Sequence, residues 1–501
     1  MTTRPPDARG ETPPGRVVET HVSVLRFDRD TVRKTKKPVR FPFVDFTSVR
    51  SRLVACLEEV GLNRRLAPDV YLGVEDIRDE AGHLVDAAVV MRRLPESRQL
   101  RALIERGVDV RDELTRVVHA LAAFHSTGAR SDDIDEAATP DSLLARWDAD
   151  LDELEPLARR VLGVATVERE RALSRRYLGA RGDLLAERIR SGHIVDGHGD
   201  LRADSIFCLA DGPRIIDRLE FDPRLRWGDE VADLAFLAMD LEALGHPDLS
   251  EHLMRTYFRL AGWRAPPGLL HFYIAQRAMV RAKVACWRVM QGDPQAASRA
   301  RLHLEQCRHH LAAARPLVVI IGGAPRTGKS TLARALADTT DAVPLHSDGV
   351  RRDVAGASHQ ARVDRDGLDS GRYSSSTTRA TYATLTARAR ALLRGGYSVI
   401  LDATFPSAAS RVAIETLAER FGADVVQIEC TAPISVVAMR ADRALDPGDM
   451  SEATREVAAA LRSRREPWTT AHRLDTRAPV PRLVAECLEA IDQTPVGGQG
   501  T

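Results

Sequence analysis

The sequence predicts two domains of different class, an α+β domain over residues 17–315 and an α/β domain with a parallel sheet over residues 316–492. Three observations predict this. Gly323-Ala324-Pro325-Arg326-Thr327-Gly328-Lys329-Ser330 is a complete G-x-x-x-x-G-K-[ST] phosphate loop between the β-branched run Leu317–Ile321 and a helix-forming run from Thr331 to Ala337. That strand–loop–helix setting is the one the motif requires. Beyond Ala312-Ala313-Ala314-Arg315-Pro316, strand-like and helix-like segments alternate, as in a parallel sheet. Before that break, strand-rich segments precede a long helical region interrupted by His198-Gly199-Asp200-Leu201 and then Arg214-Ile215-Ile216-Asp217.

The first domain begins with a hairpin, Val17 to Phe27 turning at Asp28-Arg29-Asp30 into Thr31–Lys34. A helix is expected over Ser48–Leu66 and a strand over Ala87–Met91, followed by a hinge at Arg92-Arg93-Leu94-Pro95. Helices are expected over 98–127 and 141–191, a strand–loop–strand unit over 194–221, then helices to about Ala314. A small lobe of strands, a hinge and a large helical lobe is a protein-kinase-like order. The acidic stretch Ser131–Glu136 reads as a solvated loop. In the second domain strands are expected at 317–321, 342–346, 398–401, 424–430 and near 472–475, with a mobile loop at 356–375. Residues 1–16 and 493–501 read as disordered tails.

Composition excludes several classes. A net charge of +1 offers no global field for nucleic acid or anionic membrane. No apolar stretch approaches the length of a membrane span. The six cysteines form no C-x-x-C pair, so zinc and redox-motif chemistry are not indicated. Reduced thiols point to the cytoplasm. Lysine is scarce: five stand against 72 Lys+Arg in total. One is Lys329, and Lys34, Lys36 and Lys37 cluster on one expected strand. Where lysine survives, a compact ammonium rather than a planar fork is needed.

The residue types carry chemistry. Glycines let the N–H groups of residues 323–331 (Gly323, Ala324, Pro325, Arg326, Thr327, Gly328, Lys329, Ser330, Thr331; proline contributes none) turn inward onto phosphate oxygens at a helix N-terminus. Lys329 reaches the β- and γ-phosphates of ATP, and the Ser330 hydroxyl sits on Mg²⁺. Asp402 ends the strand-like Val399–Leu401 and is a second candidate for Mg²⁺. Ser347-Asp348-Gly349-Val350-Arg351 follows the second strand, where ligands of open α/β sheets bind. It is similar to the S-D-x-x-R of small P-loop kinases. That similarity makes Asp348 the base for the acceptor hydroxyl and Arg351 a substrate contact. Arg440 and Arg443 resemble lid arginines that stabilise transition-state charge; solvated arginines are the plainer reading in so arginine-rich a chain.

In the first domain, Asp200 and Asp217 stand at the spacing of a catalytic-loop base and a metal-binding aspartate. With Leu121-Ala122-Ala123-Phe124-His125 and Asp229-Glu230-Val231-Ala232-Asp233-Leu234, this region resembles the aminoglycoside/choline phosphotransferase family, motif H-G-D-L-x-x-x-N. Over roughly residues 17–490 the chain is similar to a bacterial two-domain family that joins such a domain to a P-loop ATP-binding domain. The resemblance implies that Lys34, or Lys36 on the same face, binds the α/β-phosphates with Glu59 as ion-pair partner. It also implies that Asp233 holds the catalytic-loop backbone. The motif's Asn, the second metal ligand, is replaced by Ser205, with Asp204 as a possible substitute. The reading is an ATP- and Mg²⁺-dependent phosphotransferase acting on a hydroxyl of a metabolite or antibiotic, bifunctional if both sites work. One alternative is an N-terminal pseudokinase controlling the C-terminal domain. Another is a polynucleotide 5′-kinase, disfavoured by the charge balance. The acceptor is a small molecule, nucleic acid and membrane are not expected partners, and oligomeric state is not legible.

Overall fold

The computed structural model describes residues 15–20, 22–41, 44–355, 374–442 and 465–493. Residues 356–373 of the loop expected at 356–375, Arg443 and most of both expected tails lie outside them, while Ser374 and Ser375, expected in that loop, are the cap and first residue of a helix. The chain divides into two compact units. One comprises Met1–Arg171, Leu185–Ala265 and Phe272–His310; the other comprises Ala172–Leu184, Pro266–His271 and Leu311–Thr501.

The first unit opens with β1 (Val17–Glu19), β2 (Ser23–Phe27) and β3 (Thr31–Lys36), then β4 (Arg40–Phe41), β5 (Val44–Asp45), α1 (Val49–Asn63), β6 (Tyr71–Arg78) and β7 (Leu84–Arg92). The single strand expected over 17–27 is two, because the chain turns where Thr20 Oγ1 accepts the Ser23 N–H at 2.9 Å. β6 was not foreseen; a register shift between Tyr71 and Gly73 breaks its alternation. The antiparallel sheet runs β1-β2-β3-β7-β6. Ser48 caps α1 by accepting the Ser51 N–H at 3.0 Å. α1 lays Cys56 and Val60 against Val32, Tyr71, Val89 and Met91 of the sheet.

The helices follow as α2 (Leu100–Glu105), α3 (Arg111–Ser126), α4 (Asp132–Glu136), α5 (Pro140–Leu162), α6 (Glu168–Gly179) and α7 (Gly182–Arg190). The helices expected over 98–127 and 141–191 are thus split, the second at Gly163, whose φ of 70° ends α5. The stretch 131–136 is a capped helix rather than a loop: Ser131 Oγ accepts the Ile134 N–H. Short hairpin pieces come next, β8 (Ile194–Asp196), β9 (Ile206–Leu209), β10 (Gly212–Ile215) and β11 (Trp227–Asp229). α8 (Glu230–Ala243), α9 (Pro247–Ala261), α10 (Pro267–Met290) and α11 (Ala296–Ala313) complete the helical region. Asp229 does more than cap α8, because Arg188 forks onto both its oxygens at 2.7 and 2.8 Å.

Besides most of α6 and the starts of α7 and α10, the second unit holds β12 (Leu317–Gly322), α12 (Lys329–Thr339), β13 (Val343–His346), α13 (Ser347–Ala355), α14 (Ser375–Arg394), β14 (Val399–Asp402), α15 (Ala408–Arg420), β15 (Asp424–Thr431), α16 (Ile434–Asp442), β16 (His472–Asp475) and α17 (Val480–Asp492). Its sheet is wholly parallel in the order β13-β14-β12-β15-β16. Successive residues of β12 feed opposite cores. Val318 and Ile320 join Leu385, Leu401 and Ile414, while Val319 and Ile321 join Leu332, Leu336, Ile428 and Leu483. Burial on both faces is why these strands read as unbroken apolar runs.

Candidate functional site

In the first unit the period of two in β3 sends Lys34 and Lys36 to the same face. There α1 presents Glu59, whose side chain is 0% exposed. Lys34 Nζ stands 2.8 Å from Glu59 Oε1 and 2.9 Å from Asp217 Oδ1. Lys36 Nζ stands 2.6 Å from Glu59 Oε2 and also bonds Glu220 Oε1. The two lysines offered as alternatives therefore share one carboxylate, an oxygen each, and only Lys34 reaches Asp217. Burial opposes charge throughout. Against it, Asp217 and Glu59 hold Lys34 well above its usual range, and Lys34 and Lys36 hold Glu59 below its own. Glu220 goes the other way: burial and the neighbouring Glu59 raise it despite Lys36. Glu220 was not singled out from sequence; an acid three residues beyond Asp217 was its only signal.

Asp217 takes the left-handed region at φ 63°, uncommon for a residue other than glycine. Its N–H donates to the Tyr71 hydroxyl at 3.1 Å, and the next N–H, of Arg218, donates to Asn63 Oδ1 at 2.8 Å. Arg218 Nε then donates to the Gly197 carbonyl at 2.8 Å, which ties the Asp217 turn to the loop carrying Asp200. That loop hangs on Asp233, which accepts the N–H groups of His198 at 2.5 Å and Gly199 at 2.9 Å. A Cβ on Gly197 would stand 2.4 Å from Asp233 Oδ2, so only glycine admits this approach. His125 backs Asp233 through Nε2 at 3.2 Å, and Tyr257 and Glu230 continue the buried chain.

Asp200 is bonded to Arg202 Nε through both oxygens at 3.1 Å. Burial disfavours its charge, and Arg202, Arg281 and His198 more than offset this, leaving its carboxyl below the usual range. Ser205 is buried, and its carbonyl accepts the Ile216 N–H at 2.9 Å, one residue before Asp217. Asp204, the possible substitute for the missing Asn, is engaged by two arginines: Arg101 takes one of its oxygens at 2.6 Å and Arg202 the other at 3.0 Å. Of the groups a Mg²⁺ would use here, Asp217 fits, with a side chain 47% exposed. The buried Ser205 hydroxyl is the poorer partner.

In the second unit β12 delivers the phosphate loop to the carboxyl end of the sheet. Gly323 has φ 148° and Gly328 φ 89°; Arg326, also left-handed at φ 67°, has no such freedom. A Cβ on Gly323 would meet the Cys430 carbonyl at 2.5 Å. Lys329 Nζ and Thr327 Oγ1 donate to the Ala324 carbonyl at 2.9 and 2.8 Å. Ser330 and Thr331 lie in the first turn of α12. Arg440 on α16 donates to the Arg326 carbonyl at 3.4 Å, to Thr476 Oγ1 at 3.0 Å and to the Thr476 carbonyl at 2.7 Å. It is therefore a partner of the loop and not a solvated arginine. Arg443 lies outside the described residues.

Asp402 ends β14 in register with Ile321 of β12 and His346 of β13. Its Oδ2 is 2.9 Å from His346 Nδ1. Burial pushes the Cys430 thiol, on β15, up to about 12. The Ser330 hydroxyl in the first turn of α12 and the Asp402 carboxylate at the end of β14 are oxygen donors of the kind Mg²⁺ takes, one or two from protein with phosphates besides. Asp348 is half-buried and Arg351 buried, its Nη1 3.4 Å from Thr378 Oγ1. The Tyr382 hydroxyl accepts the Phe405 N–H at 2.9 Å. Burial raises Tyr382, and Arg351 and Asp348 are among the charges acting on it. His346, Tyr382 and Thr476 escaped the sequence reading. The first and last flank strand ends, where position was the available signal; Tyr382 had none.

Among the described residues no group of three or more His, Cys, Asp or Glu is placed to hold a metal ion by itself. None of the described helices is long and apolar enough to cross a membrane.

The phosphate loop on a parallel sheet defines a P-loop ATPase-type domain, and residues 318–468 match the AAA domain model AAA_33. The chain belongs to the same family as the proteins Rv2004c of Mycobacterium tuberculosis and Mb2027c of Mycobacterium bovis. Each is 39% identical over 473 residues, 94% of this chain and 94% of its own length. Solved structures with a partial likeness include a sugar kinase from Janibacter (18% identity, TM-score 0.28, 35% of this chain and 95% of that one). Another is the APS kinase CysC of M. tuberculosis with AMPPNP and APS (18%, 0.27, 36% and 99%). A third is a gluconokinase from Sinorhizobium meliloti (16%, 0.26, 36% and 93%).

Proposed function

We propose that the second unit is an ATP-dependent kinase that phosphorylates a hydroxyl of a small molecule. The observation that carries this is the contact of Arg440 with the phosphate loop that holds Lys329, with Asp402 ending the neighbouring strand β14. In this reading the loop N–H groups and Lys329 bind the β- and γ-phosphates, and Arg440 stabilises charge on the transferred group. The acceptor oxygen bonds to the γ-phosphorus as the bond to the β-phosphate oxygen breaks. Its proton passes to Asp348, and ADP leaves. Arg351 orients the acceptor. Mg²⁺, held by the Ser330 hydroxyl and Asp402, would neutralise phosphate charge. The test is calorimetric Mg-ATP binding with a screen of hydroxylated metabolites for ADP formation. Acceptor-dependent ADP that disappears in Lys329→Ala and falls steeply in Asp348→Asn supports the reading. Unchanged turnover in both variants overturns it.

For the first unit the same reading is a phosphotransferase site: Lys34 and Asp217 for the nucleotide and its metal, Asp200 as base. The contact of Lys34 with both Glu59 and Asp217 supports it. A second reading, a nucleotide-binding or regulatory module without catalysis, is favoured by Ser205 and by the engagement of Asp204 with two arginines. Two Mg-ATP sites falling to one in Lys329→Ala would support nucleotide binding in the first unit; one falling to none would refute it. Six buried, free cysteines are consistent with action in the cytoplasm.

A further inference from the structure

Past Asp402 the chain of the second unit enters a turn in an unfavourable conformation. Phe405 is fully buried and left-handed at φ 45°, an outlier for a bulky side chain. Such backbone persists only where its surroundings over-determine it, and it gathers at functional sites. Here it is held from several sides. The Phe405 N–H donates to the Tyr382 hydroxyl at 2.9 Å, and its carbonyl accepts Arg411 Nη1 at 3.2 Å. Its ring stands edge-on to that of Tyr382, with centres 5.6 Å apart, and tilted to Trp468. The effect falls on the residue before it. The Thr404 carbonyl accepts the N–H of Gly323, the first residue of the phosphate loop, at 3.4 Å, and the Ala403 N–H donates to the Ile321 carbonyl at 3.2 Å. Thr404 is thereby laid against the start of that loop, at the carboxyl end of the sheet, where ligands of open α/β sheets bind.

The proton order follows from the donors. The hydroxyls of Tyr382 and Thr404 stand 3.2 Å apart. A backbone N–H can only donate, so the phenol oxygen accepts from Phe405 and its own hydrogen goes to Thr404 Oγ1. That leaves the hydrogen of the half-buried Thr404 hydroxyl without an acceptor among the described residues. Asp402, two residues earlier, is its complement. His346 Nδ1 takes Oδ2 at 2.9 Å, and Oδ1 has no hydrogen-bond or ion-pair partner among the described residues. We propose that Thr404 is a further substrate-binding residue of the second unit: its hydroxyl donates to an oxygen of the γ-phosphate, and Tyr382 is the positioning residue that turns it there. This rests on the reading of the second unit as an ATP-dependent kinase. Phosphoryl oxygens carry charge and accept only, the case in which a hydrogen bond is strongest. The attacking oxygen of the acceptor is the poorer match, since its lone pair is directed at phosphorus.

The test is calorimetry of AMPPNP and of ADP, each with Mg²⁺, on the full chain, counting only the binding that Lys329→Ala abolishes. Thr404→Val should weaken AMPPNP about tenfold, the scale of one hydrogen bond to a charged oxygen. ADP should bind as before, because only AMPPNP carries a γ-phosphate. Thr404→Ser should restore AMPPNP binding. Tyr382→Phe keeps the ring and removes the hydroxyl, so it should weaken AMPPNP by a smaller factor and again spare ADP. Thermal unfolding of each variant separates lost binding from lost fold, and Thr404→Ala gives the same readout where Thr404→Val does not fold. Two results overturn the proposal and leave the kinase reading standing: a folded Thr404→Val or Thr404→Ala that binds both nucleotides like the parent, or one that weakens both alike. Absence of any Lys329-dependent nucleotide binding in the parent chain overturns the kinase reading, and the proposal with it.

Discussion

The two candidate sites keep their scarce lysines in opposite company. Lys329 leans on a carbonyl of its own loop, and no carboxylate lies within ion-pair distance among the described residues. Lys34 and Lys36 are packed among three carboxylates contributed by α1 and by the segment after β10. One site is built from backbone and glycine conformation within eight consecutive residues. The other is built from side chains brought together from positions nearly two hundred residues apart. A backbone-built site is rigid and local. A side-chain-built site depends on the whole unit being folded, so its chemistry and its stability are coupled.

The sharpest way to break the comparison is to remove each lysine's role in turn. Lys329→Ala should lower phosphotransfer from the second unit by about a thousandfold or more, since phosphoryl transfer relies on charge stabilisation. Because its ammonium bonds one loop carbonyl and no carboxylate among the described residues, the melting temperature should move little. Parallel kinetics and calorimetry check this. Glu59→Gln should do the reverse. It leaves two buried ammoniums short of a counter-charge and should destabilise the first unit by about 3–5 kcal/mol, read by denaturant unfolding, while the second unit's nucleotide binding is unaffected. Arg440→Gln should cost roughly ten- to a hundredfold in kcat with a smaller change in KM, if it acts in the transition state. An equal loss in binding alone would make it a structural brace for Thr476.

The last prediction concerns pH. Burial raises Asp233, but the His125 hydrogen bond and charge more than reverse this, so its carboxyl lies well below the usual range when folded. A carboxyl depressed on folding contributes stability fully above its unfolded value, near 3.9, and loses it as pH falls through the folded value. Glu59 adds the same sign, whereas Glu220, raised on folding, loses its contribution as pH rises. Asp233→Asn should therefore flatten the acid limb of the first unit's unfolding curve, and unchanged acid sensitivity would remove Asp233 from that role.

The sequence by itself determined the second unit's strands, all five within about a residue of their bounds, and the loop from Gly323 to Ser330. Apolar runs buried on both faces and a glycine pattern that dictates its own backbone are local properties, so they can be read along the chain. It also named Lys34, Glu59, Asp200 and Asp217. Only the tertiary structure decided their partners: that Glu59 divides itself between two lysines, that Glu220 joins them, and that Arg101 and Arg202 occupy Asp204. It likewise set His346 on Asp402 and Arg440 on Thr476. Charge pairing is non-directional in sequence and highly directional in space. A carboxylate's role depends on which cations burial brings to it, and no spacing rule along the chain encodes that.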